Sequence, residues 1–469
     1  MASSRVTITE PSAYYHYCYT CDNYPMRHAT LAEWLVWLEQ LHPTAIELGL
    51  ERIATVADRL AILPLTATVV TVAGTNGKGS TIAAIAALLR AGEHAPRLGI
   101  YTSPHLQHFC ERIELADGLA TERQVCDALQ RVDDAREGIS LTYFEYTTLA
   151  ALVLFASAEL DIVLLEVGLG GRLDAVNIVD ADMAVITAIA LDHQHWLGDS
   201  REAIGREKAG VLRAHRPVFI ADPDPPDTVL EQARELACTV HALGPDFSFR
   251  RRGDTWSWRG RSASFDDLPS SPLPLTSWAA ALAVVEQLQQ LPGMACLHRA
   301  VLDTALPGRM QRIDYHGRTF LLDVAHNPHA VARLARHFPP ALDGTAVFSS
   351  GLFAAMRDKD IETMLELVGG CAERWYFPAV QPFARAEEPA TIATFWSRIQ
   401  AEQLCGVTRP VQEEVGAGAT VADCINAAIH TSAVGDKILI FGSFYLVGEA
   451  LSVLGVSTDK IDQNINIRD

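Results

Sequence analysis

The residues best suited to chemistry form one short glycine-rich segment between an apolar run and a helix-forming stretch. They are Gly74, Thr75, Asn76, Gly77, Lys78, Gly79 and Ser80. Glycines let backbone N–H groups turn around phosphate oxygens, the start of the following helix supplies positive potential, and Lys78 adds a full charge. The spacing differs from the usual phosphate loop, because Gly79 separates Lys78 from Ser80 and position 72 is Val. The segment therefore predicts a nucleotide phosphate site of unusual spacing.

Other reactive side chains follow apolar runs of strand length. Glu166 ends one such run, and His193 follows another at 181–190. Ligands of an open parallel sheet bind beyond the carboxyl ends of its strands, so Glu166 can meet a magnesium ion held by phosphate and Ser80. We expect Glu166 and His193 to be ligands, with helix capping and a structural histidine as the alternatives. Lys208 is ambiguous, since a helical lysine usually pairs with a neighbouring acid.

The elements that position these groups alternate between strands and helices. Continuous apolar runs at 66–74, 160–168 and 181–190 indicate strands buried on both faces, with helical segments between them. Residues 31–60 have helical spacing that is broken at His42-Pro43, which predicts two short helices. The chain is therefore predicted to be α/β, beginning with a P-loop ATPase-like domain built on a parallel sheet.

A second, smaller α/β unit is expected after a Pro-Gly break within 304–310. Before the break, the Pro-, Arg- and Trp-rich stretch 222–275 predicts antiparallel strands at the edge of the first domain. Its run Arg250-Arg251-Arg252 is interpreted as a solvated hairpin rather than a nucleic-acid patch. Strand-like runs then recur at 318–326, 345–351, 374–380 and 436–443. We predict two domains, 1–305 and 306–469.

Composition excludes several classes of protein. The 469 residues are 49% hydrophobic and 20% charged, as in folded globular enzymes, and the apolar runs are shorter than the roughly 20 residues of a membrane span. With 38 basic and 57 acidic residues, the net charge of −19 repels nucleic acid and anionic lipid. We therefore expect no nucleic-acid or membrane partner. The N-terminal residues carry no secretory or transit signal, and we expect a cytoplasmic monomer.

The nine cysteines indicate free thiols rather than a disulfide framework, because their number is odd and they are spread over a long chain. Cys18 and Cys21 do form a CxxC pair. Without a second pair or following histidine ligands, we favour free thiols over a zinc or redox site.

Eight short segments, in this order, resemble those of a known family. They are GTNGKGS at 74–80, SPHL at 103–106, EVGLGGRLD at 166–174, LDH at 191–193 with WLG at 196–198, GREKAG at 205–210, LPGR at 306–309 and DVAHNPH at 323–329. Over about residues 31–450 the chain resembles the bifunctional dihydrofolate synthase/folylpolyglutamate synthase family of the Mur ligase superfamily. The resemblance implies an ATP-binding domain, a Rossmann-like C-terminal domain and a reaction in the cleft between them.

The reaction that the resemblance implies is an ATP-dependent ligation. ATP phosphorylates the carboxylate of dihydropteroate, or the γ-carboxylate of a folate's glutamate tail, and L-glutamate then displaces the phosphate through a tetrahedral intermediate. The implied partners are these small molecules together with ATP and Mg²⁺. The segments ELGLERI at 47–53 and TYFEY at 142–146 resemble those of enzymes with both activities, so we expect a bifunctional enzyme.

The resemblance also implies roles for single residues. Lys78 and the backbone of 74–80 would hold the phosphates, Ser80 and Glu166 one Mg²⁺, and Glu166 with His193 a second. Lys208 matches a lysine that carbon dioxide carbamylates to serve the second metal. Nucleotide contacts are expected from Ser277, Arg309, Asp323 and His326. The pterin and glutamate sites are expected to involve Ile46, Leu48, Gly49, Ser103, Pro104, His105, Phe144, Asp174 and Ser443.

Two features depart from the family pattern. Ser277 stands where the family has an Asn that contacts the nucleotide, and the loop predicted over 349–357 differs on the glutamate side. One alternative is folylpolyglutamate synthase activity alone. Another is a sibling ligase for a cell-wall precursor, which would need its own N-terminal domain, whereas only about 65 residues precede the apolar run that leads into the phosphate loop. A nucleotide-dependent switch or transport ATPase would instead release phosphate without glutamate.

Overall fold

The computed structural model of the chain describes residues 27–42, 44, 46–339, 346–380, 385–403, 411–412 and 418–458. The CxxC pair Cys18 and Cys21 lies outside them. Among the helices of the described ranges, none combines the length and apolar character that a membrane crossing requires. The described cysteines include the free thiols Cys126, Cys238, Cys296, Cys371 and Cys424.

An eight-stranded sheet organises the N-terminal part of the chain. Its strands are β1 Thr68–Ala73, β2 Leu98–Tyr101, β3 Ile113–Leu115, β4 Gly118–Leu119, β5 Ile162–Glu166, β6 Met183–Ile186, β7 Pro217–Ile220 and β8 Thr239–Ala242. They lie in the order β4-β3-β2-β5-β1-β6-β7-β8, with β2, β5, β1, β6, β7 and β8 parallel and β3 and β4 antiparallel. The predicted parallel sheet is confirmed, with β1 between β5 and β6.

Helices cover both faces of this sheet. They are α1 Leu31–Leu41, α2 Glu51–Leu60, α3 Lys78–Arg90, α4 Glu122–Arg136, α5 Tyr143–Ser157, α6 Gln194–Leu197, α7 Arg201–Ala209, α8 Asp227–Glu235, α9 Leu275–Gln287 and α10 Met294–Asp303. Val69 packs into the core beneath α5, whereas Val70 packs into the core beneath α3 and α9. Burial on both faces explains why β1 is continuously apolar. The predicted pair of short helices is confirmed as α1 and α2.

A separate three-stranded antiparallel sheet follows β8, formed by β9 Ser248–Arg252, β10 Thr255–Arg259 and β11 Ser264–Pro269. Trp258 is buried, and its indole N–H donates to the carbonyl of Ala279 in α9 at 3.1 Å, which fixes this sheet to α9. Arg250, Arg251 and Arg252 are exposed. The predicted antiparallel strands and the solvated arginine run are both confirmed.

The C-terminal part forms a six-stranded sheet in the order β12-β13-β17-β14-β15-β16, in which only β12 is antiparallel to its neighbour. Its strands are β12 Gln311–Tyr315, β13 Arg318–Asp323, β14 Phe348–Phe353, β15 Ala372–Tyr376, β16 Val411–Gln412 and β17 Lys437–Phe441. The helices are α11 Pro328–His337, α12 Ile361–Val368, α13 Pro389–Gln403, α14 Val421–Thr431 and α15 Phe444–Val453. The smaller C-terminal α/β unit is thus confirmed. The boundary at 305/306 stays a prediction.

Two local predictions are wrong. The strand predicted over 181–190 is β6, which ends at Ile186, because the carbonyl of Ala188 accepts the N–H of Thr75 at 2.8 Å and pairs with the phosphate loop instead. His193 therefore lies beyond the strand, just before α6, with a φ of +50°. The segment 349–357 is not all loop either, since its first half belongs to β14, where Phe353 pairs with β17.

Candidate active site

A cavity of about 910 Å³ lies between the two α/β units, within the range of small-molecule sites. It is bordered by the carboxyl ends of β1, β5, β13 and β17. The residues predicted for the site all line it: Ile46, Leu48, Gly49, residues 74–80, Ser103, Pro104, His105, Phe144, Glu166, Asp174, His193, Lys208, Ser277, Arg309, Asp323, His326 and Ser443. Lys78, Glu166 and His193 are therefore brought together rather than scattered.

The glycine-rich segment connects β1 to α3 in a conformation that requires glycine. Gly74 has a φ of +148°, and a β-carbon there would lie 1.8 Å from Oγ1 of Thr187. Gly77, with a φ of +94°, is the N-cap of α3, whose first N–H groups lack intrahelical partners. Lys78 Nζ donates to the carbonyls of Gly74 and Thr75 at 3.1 and 3.3 Å. Free amides and an ammonium group together form a suitable anion cradle.

Glu166 ends β5 beside this segment, and its side chain is buried. Its Oε2 accepts the N–H of Ser103 at 3.1 Å. Burial raises the pKa of Glu166, while the positive charges of Lys78 and Arg309 act in the opposite direction. Among the described residues, no three His, Cys, Asp or Glu side chains are grouped closely enough to hold a metal alone. A divalent cation at Glu166 thus needs further oxygen ligands, and Mg²⁺ is often bound by one or two carboxylates completed by water and substrate phosphates.

Asp192 and His193 meet a lysine from the C-terminal unit. Lys359 Nζ donates to Oδ1 of Asp192 at 2.6 Å and lies 3.4 Å from Nε2 of His193. Burial opposes ionisation of Asp192, but Lys359, His193 and His326 together outweigh burial, so the pKa of Asp192 is lowered. Burial also lowers the pKa of His193 to about 4. The imidazole is therefore neutral at pH 7 and has a lone pair for a metal.

Lys208 lies in α7 with its side chain buried against the cavity. Burial, followed by the like charge of Lys78, lowers the pKa of Lys208 to about 7. The adjacent acid Glu207 pairs with Arg172 at 2.9 Å and does not neutralise Lys208. In the part of the chain that the structure describes, the Lys208 amine has no hydrogen bond or ion pair. A partly neutral, unpaired amine is a competent nucleophile.

Three side chains approach from the C-terminal unit. Asp323 ends β13 and accepts two backbone N–H groups at 2.9 and 3.0 Å. The guanidinium of Arg309 lies 5.0 Å from the ring centre of Phe444. His326 Nε2 is 3.7 Å from Oδ2 of Asp192, and burial lowers the pKa of His326 to about 4. These groups bring hydrogen-bonding capacity to the cavity from the C-terminal unit.

The residues predicted to hold the substrates give a partly apolar lining. Phe144 stacks on Tyr101 with ring centres 6.1 Å apart. Asp174 is buried and accepts two backbone N–H groups at 2.7 and 3.1 Å, and burial raises its pKa to about 6. Ser443 Oγ accepts the N–H of Leu446 at 3.1 Å and so caps α15. A flat ring and a buried carboxylate can recognise a heterocycle with amino groups.

Four residues of this region are missing from the prediction made on the sequence. Asp192 and Asn327 lie inside the segments that resemble the family, and Lys359 lies just after the stretch 349–357 that departs from the family pattern. Arg112, in the 3₁₀-helix Phe109–Arg112, also lines the cavity. No pattern in the sequence predicts this position. A charged residue in a short turn is normally exposed, so its burial is visible only in the structure.

Comparisons with known proteins agree with this architecture. Family models match at residues 72–252, for the Mur ligase middle domain, and at 308–444, for the Mur ligase glutamate ligase domain. The dihydrofolate synthase/folylpolyglutamate synthase of Escherichia coli (strain K12) is 37% identical over 433 residues, covering 92% of this chain and 97% of that protein. The structure of E. coli FolC in complex with DHPP and ADP has a TM-score of 0.82 at 35% identity, covering 92% and 99%. A bifunctional folylpolyglutamate synthase/dihydrofolate synthase with Mn, AMPPNP and L-glutamate bound has a TM-score of 0.79 at 36% identity, covering 92% and 100%.

Proposed function

The chain belongs to the dihydrofolate synthase/folylpolyglutamate synthase family of Mur ligases, and we propose how the residues of its cavity carry out that family's reaction. It is an ATP-dependent ligase that joins L-glutamate to dihydropteroate, forming dihydrofolate, and to the glutamate tail of reduced folates. The observation that carries the assignment of roles is the convergence of the phosphate loop, Glu166 and the apolar lining around Phe144 on one cavity.

The chemistry has two bond-forming steps. An oxygen of the acceptor carboxylate attacks the γ-phosphorus of ATP, the bond from that phosphorus to the β,γ-bridging oxygen breaks, and ADP leaves. The amino nitrogen of L-glutamate then attacks the acyl carbon and loses a proton, and inorganic phosphate leaves with its oxygen. A carboxylate has no usable leaving group, and acyl phosphate formation supplies one. Alignment and charge neutralisation therefore provide most of the catalysis.

The phosphate loop is the proposed site of the ATP phosphates. Backbone amides of 74–80 and Lys78 would hold the β- and γ-phosphates, while Ser80 and Glu166 would hold one Mg²⁺ and Glu166 with His193 a second. Bound metal neutralises charge on the transferring phosphoryl group. The buried serine and the buried carboxylate beside the loop support this arrangement. Nucleotide contacts are proposed for Ser277, Arg309, Asp323 and His326.

Lys208 is proposed to be carbamylated. Its neutral amine adds to the carbon of CO₂ and loses a proton, which leaves a carboxylate that serves the second metal. The pKa of about 7 and the absence of a partner within the described ranges support this role. The modification replaces a positive charge near Lys78 with a negative one.

The pterin is proposed to lie against Phe144, with the carboxylate of Asp174 accepting hydrogen bonds from its N–H groups. Ile46, Leu48, Gly49, Ser103, Pro104 and His105 would complete this side, and Ser443 would lie near L-glutamate. One cavity serves both activities, because dihydropteroate and a folate tail present the same reacting group, a carboxylate. The monomeric state and the cytoplasmic location remain predictions.

Phosphate release tests this function. The purified protein is incubated with ATP, Mg²⁺ and L-glutamate, and with dihydropteroate, tetrahydrofolate or no acceptor. We expect release that depends on both acceptor and glutamate, with a glutamylated product detected by mass spectrometry, and its loss in Lys78→Ala. Release that is equally fast without an acceptor would contradict the ligase and favour a nucleotide-driven switch.

A further inference from the structure

Arg112 is a buried cation to which the reaction described above gives no role. It is only 8% exposed, ends the 3₁₀-helix Phe109–Arg112 and lines the cavity. Its Nε donates to Nδ1 of His105 at 2.8 Å. Within the described residues, Nη1 and Nη2 of Arg112 have no hydrogen-bond partner, and no carboxylate lies within ion-pair distance of them. Four N–H donors of the guanidinium are thus left for a ligand.

The surroundings hold the guanidinium in place without neutralising it. Its central carbon lies 5.4 Å from the ring centre of Phe109 and 5.6 Å from that of Tyr143. Burial, together with the charge of Arg112, lowers the pKa of His105 to about 4. The imidazole is therefore neutral and offers Nδ1 as an acceptor. Rings and imidazole orient the guanidinium plane, and the full positive charge remains available to the cavity.

A charge arranged in this way favours an anionic ligand. An unpaired buried guanidinium is costly, and an entering anion offsets that cost. The cavity already contains the carboxylates Glu166 and Asp174 and takes an anionic triphosphate. A second anionic ligand would be repelled by these charges, and the positive charge of Arg112 offsets that repulsion. Arg112 is close enough to Glu166 to favour its ionised form. The arginine fork also matches the two oxygens of a carboxylate.

We propose that Arg112 binds the acceptor's carboxylate, the group that ATP phosphorylates, and holds it beside Glu166 and the phosphate loop. This inference rests on the proposed function, because it requires a carboxylic acid as the acceptor. His105 then acts as a positioning residue: it orients Arg112 through Nε instead of contacting the substrate itself.

Binding of two matched ligands tests the proposal without turnover. Dihydropteroate and its carboxamide share the pterin and differ in the charge of the reacting group. Their affinities are measured by titration calorimetry with a non-hydrolysable ATP analogue, Mg²⁺ and no glutamate. We expect the unmodified protein to prefer the carboxylate by about tenfold to a hundredfold. Arg112→Gln should remove most of this preference while retaining the affinity for the carboxamide.

Arg136 provides a matched control. Its side chain is 12% exposed, pairs with Asp133 at 2.7 Å and lies 5.5 Å from the ring centre of Trp37, but it does not line the cavity. Arg136→Gln should leave the preference unchanged. Arg112→Lys keeps the charge without the fork and should give an intermediate preference, which also keeps the test decisive if Arg112→Gln does not fold.

Three results would overturn the proposal. If Arg112→Gln lowered the affinity for both ligands equally, Arg112 would have only a structural role, in which it positions Tyr143 and His105. An unchanged preference accompanied by a raised KM for L-glutamate would place Arg112 at the amino acid instead. Failure of the unmodified protein to bind either ligand would overturn the proposed function itself, so the two kinds of failure can be told apart.

Discussion

Asn76 in the phosphate loop and Asn327 in the C-terminal unit exchange two side-chain amide hydrogen bonds, each 3.0 Å long. Asn327 also donates to Oδ2 of Asp192 at 3.0 Å and accepts the N–H of Ala330, which caps α11. The amide group of Asn327 thus connects the nucleotide loop, the segment before α6 and a helix of the second unit. The contact between the two units is therefore made at the phosphate loop itself.

Asn327→Asp should weaken this contact. It retains the oxygen that caps α11 but places a carboxylate oxygen where the amide donates to Asp192, 3.0 Å away. Like charges raise the pKa of the introduced carboxyl, so the variant is destabilised above that pKa and its defect shrinks as pH falls. Thermal unfolding and kcat/KM for ATP, measured from about pH 8 to pH 6, check this. Asn426→Asp, at an exposed position, is the control. Equal melting temperatures and equal kcat/KM values for both variants across this pH range would contradict the prediction.

Carbamylation of Lys208 should be observable directly. With a pKa of about 7, roughly half of the amine is neutral at pH 7, whereas an ordinary lysine is almost fully protonated. We expect carbon-13 bicarbonate to produce one carbamate signal by NMR, lost in Lys208→Ala and retained in the exposed control Lys437→Ala. Ligation should be lost in Lys208→Ala and partly restored by acetate or formate. Unchanged activity in that variant would remove the carbamate from the mechanism.

Asp174 should give opposite pH trends in binding and stability. Its pKa is raised from 3.8 to about 6, so the ionised carboxylate destabilises the fold above pH 6, and stability increases as pH falls towards 3.8. Dihydropteroate binding should instead weaken over that range, because protonation removes the negative charge of Asp174 and turns one of its two acceptor oxygens into an O–H donor facing the N–H groups of the pterin. Affinity and melting temperature against pH check both trends. Asp174→Asn should abolish both pH trends, whereas Asp180→Asn, at an exposed position, should retain them. A pH dependence that persists in Asp174→Asn would show that another group causes it.

Gly74→Ala should abolish ATP binding, because the added β-carbon would lie 1.8 Å from Oγ1 of Thr187. Gly244→Ala is the matched control, since Gly244 also has a positive φ, +105°, but open space around it. The control should lose only about 1–2 kcal/mol of stability through backbone strain. Titration of a non-hydrolysable ATP analogue checks the difference, and normal affinity in Gly74→Ala would contradict a rigid loop.

The sequence predicts those site residues whose positions follow from the strand or helix next to them along the chain. The phosphate loop directly follows β1 and Glu166 ends β5, so an apolar run is enough to place each of them. Contacts between distant segments have no such signal: Lys359 meets Asp192 across 167 positions, and Asn327 meets Asn76 across 251. Hydrophobic periodicity indicates which face of an element is buried, but not which loop faces it. For the same reason the unpaired charge of Arg112 emerged only from the three-dimensional arrangement.

The phosphate loop after β1 and Glu166 at the end of β5 are spaced by the main chain. Val72 of β1 pairs with Glu166 on one side and Val185 on the other, and parallel neighbours lie about 4.8 Å apart whatever their side chains. The backbone hydrogen bonds between the strands therefore set this spacing for every sequence that keeps the same register. Exchanges of core side chains of equal volume should leave the spacing unchanged. Substrate pockets at the carboxyl edge of the sheet can then change to accept other acids and other amines, while the distance between the phosphate loop and Glu166 stays constant.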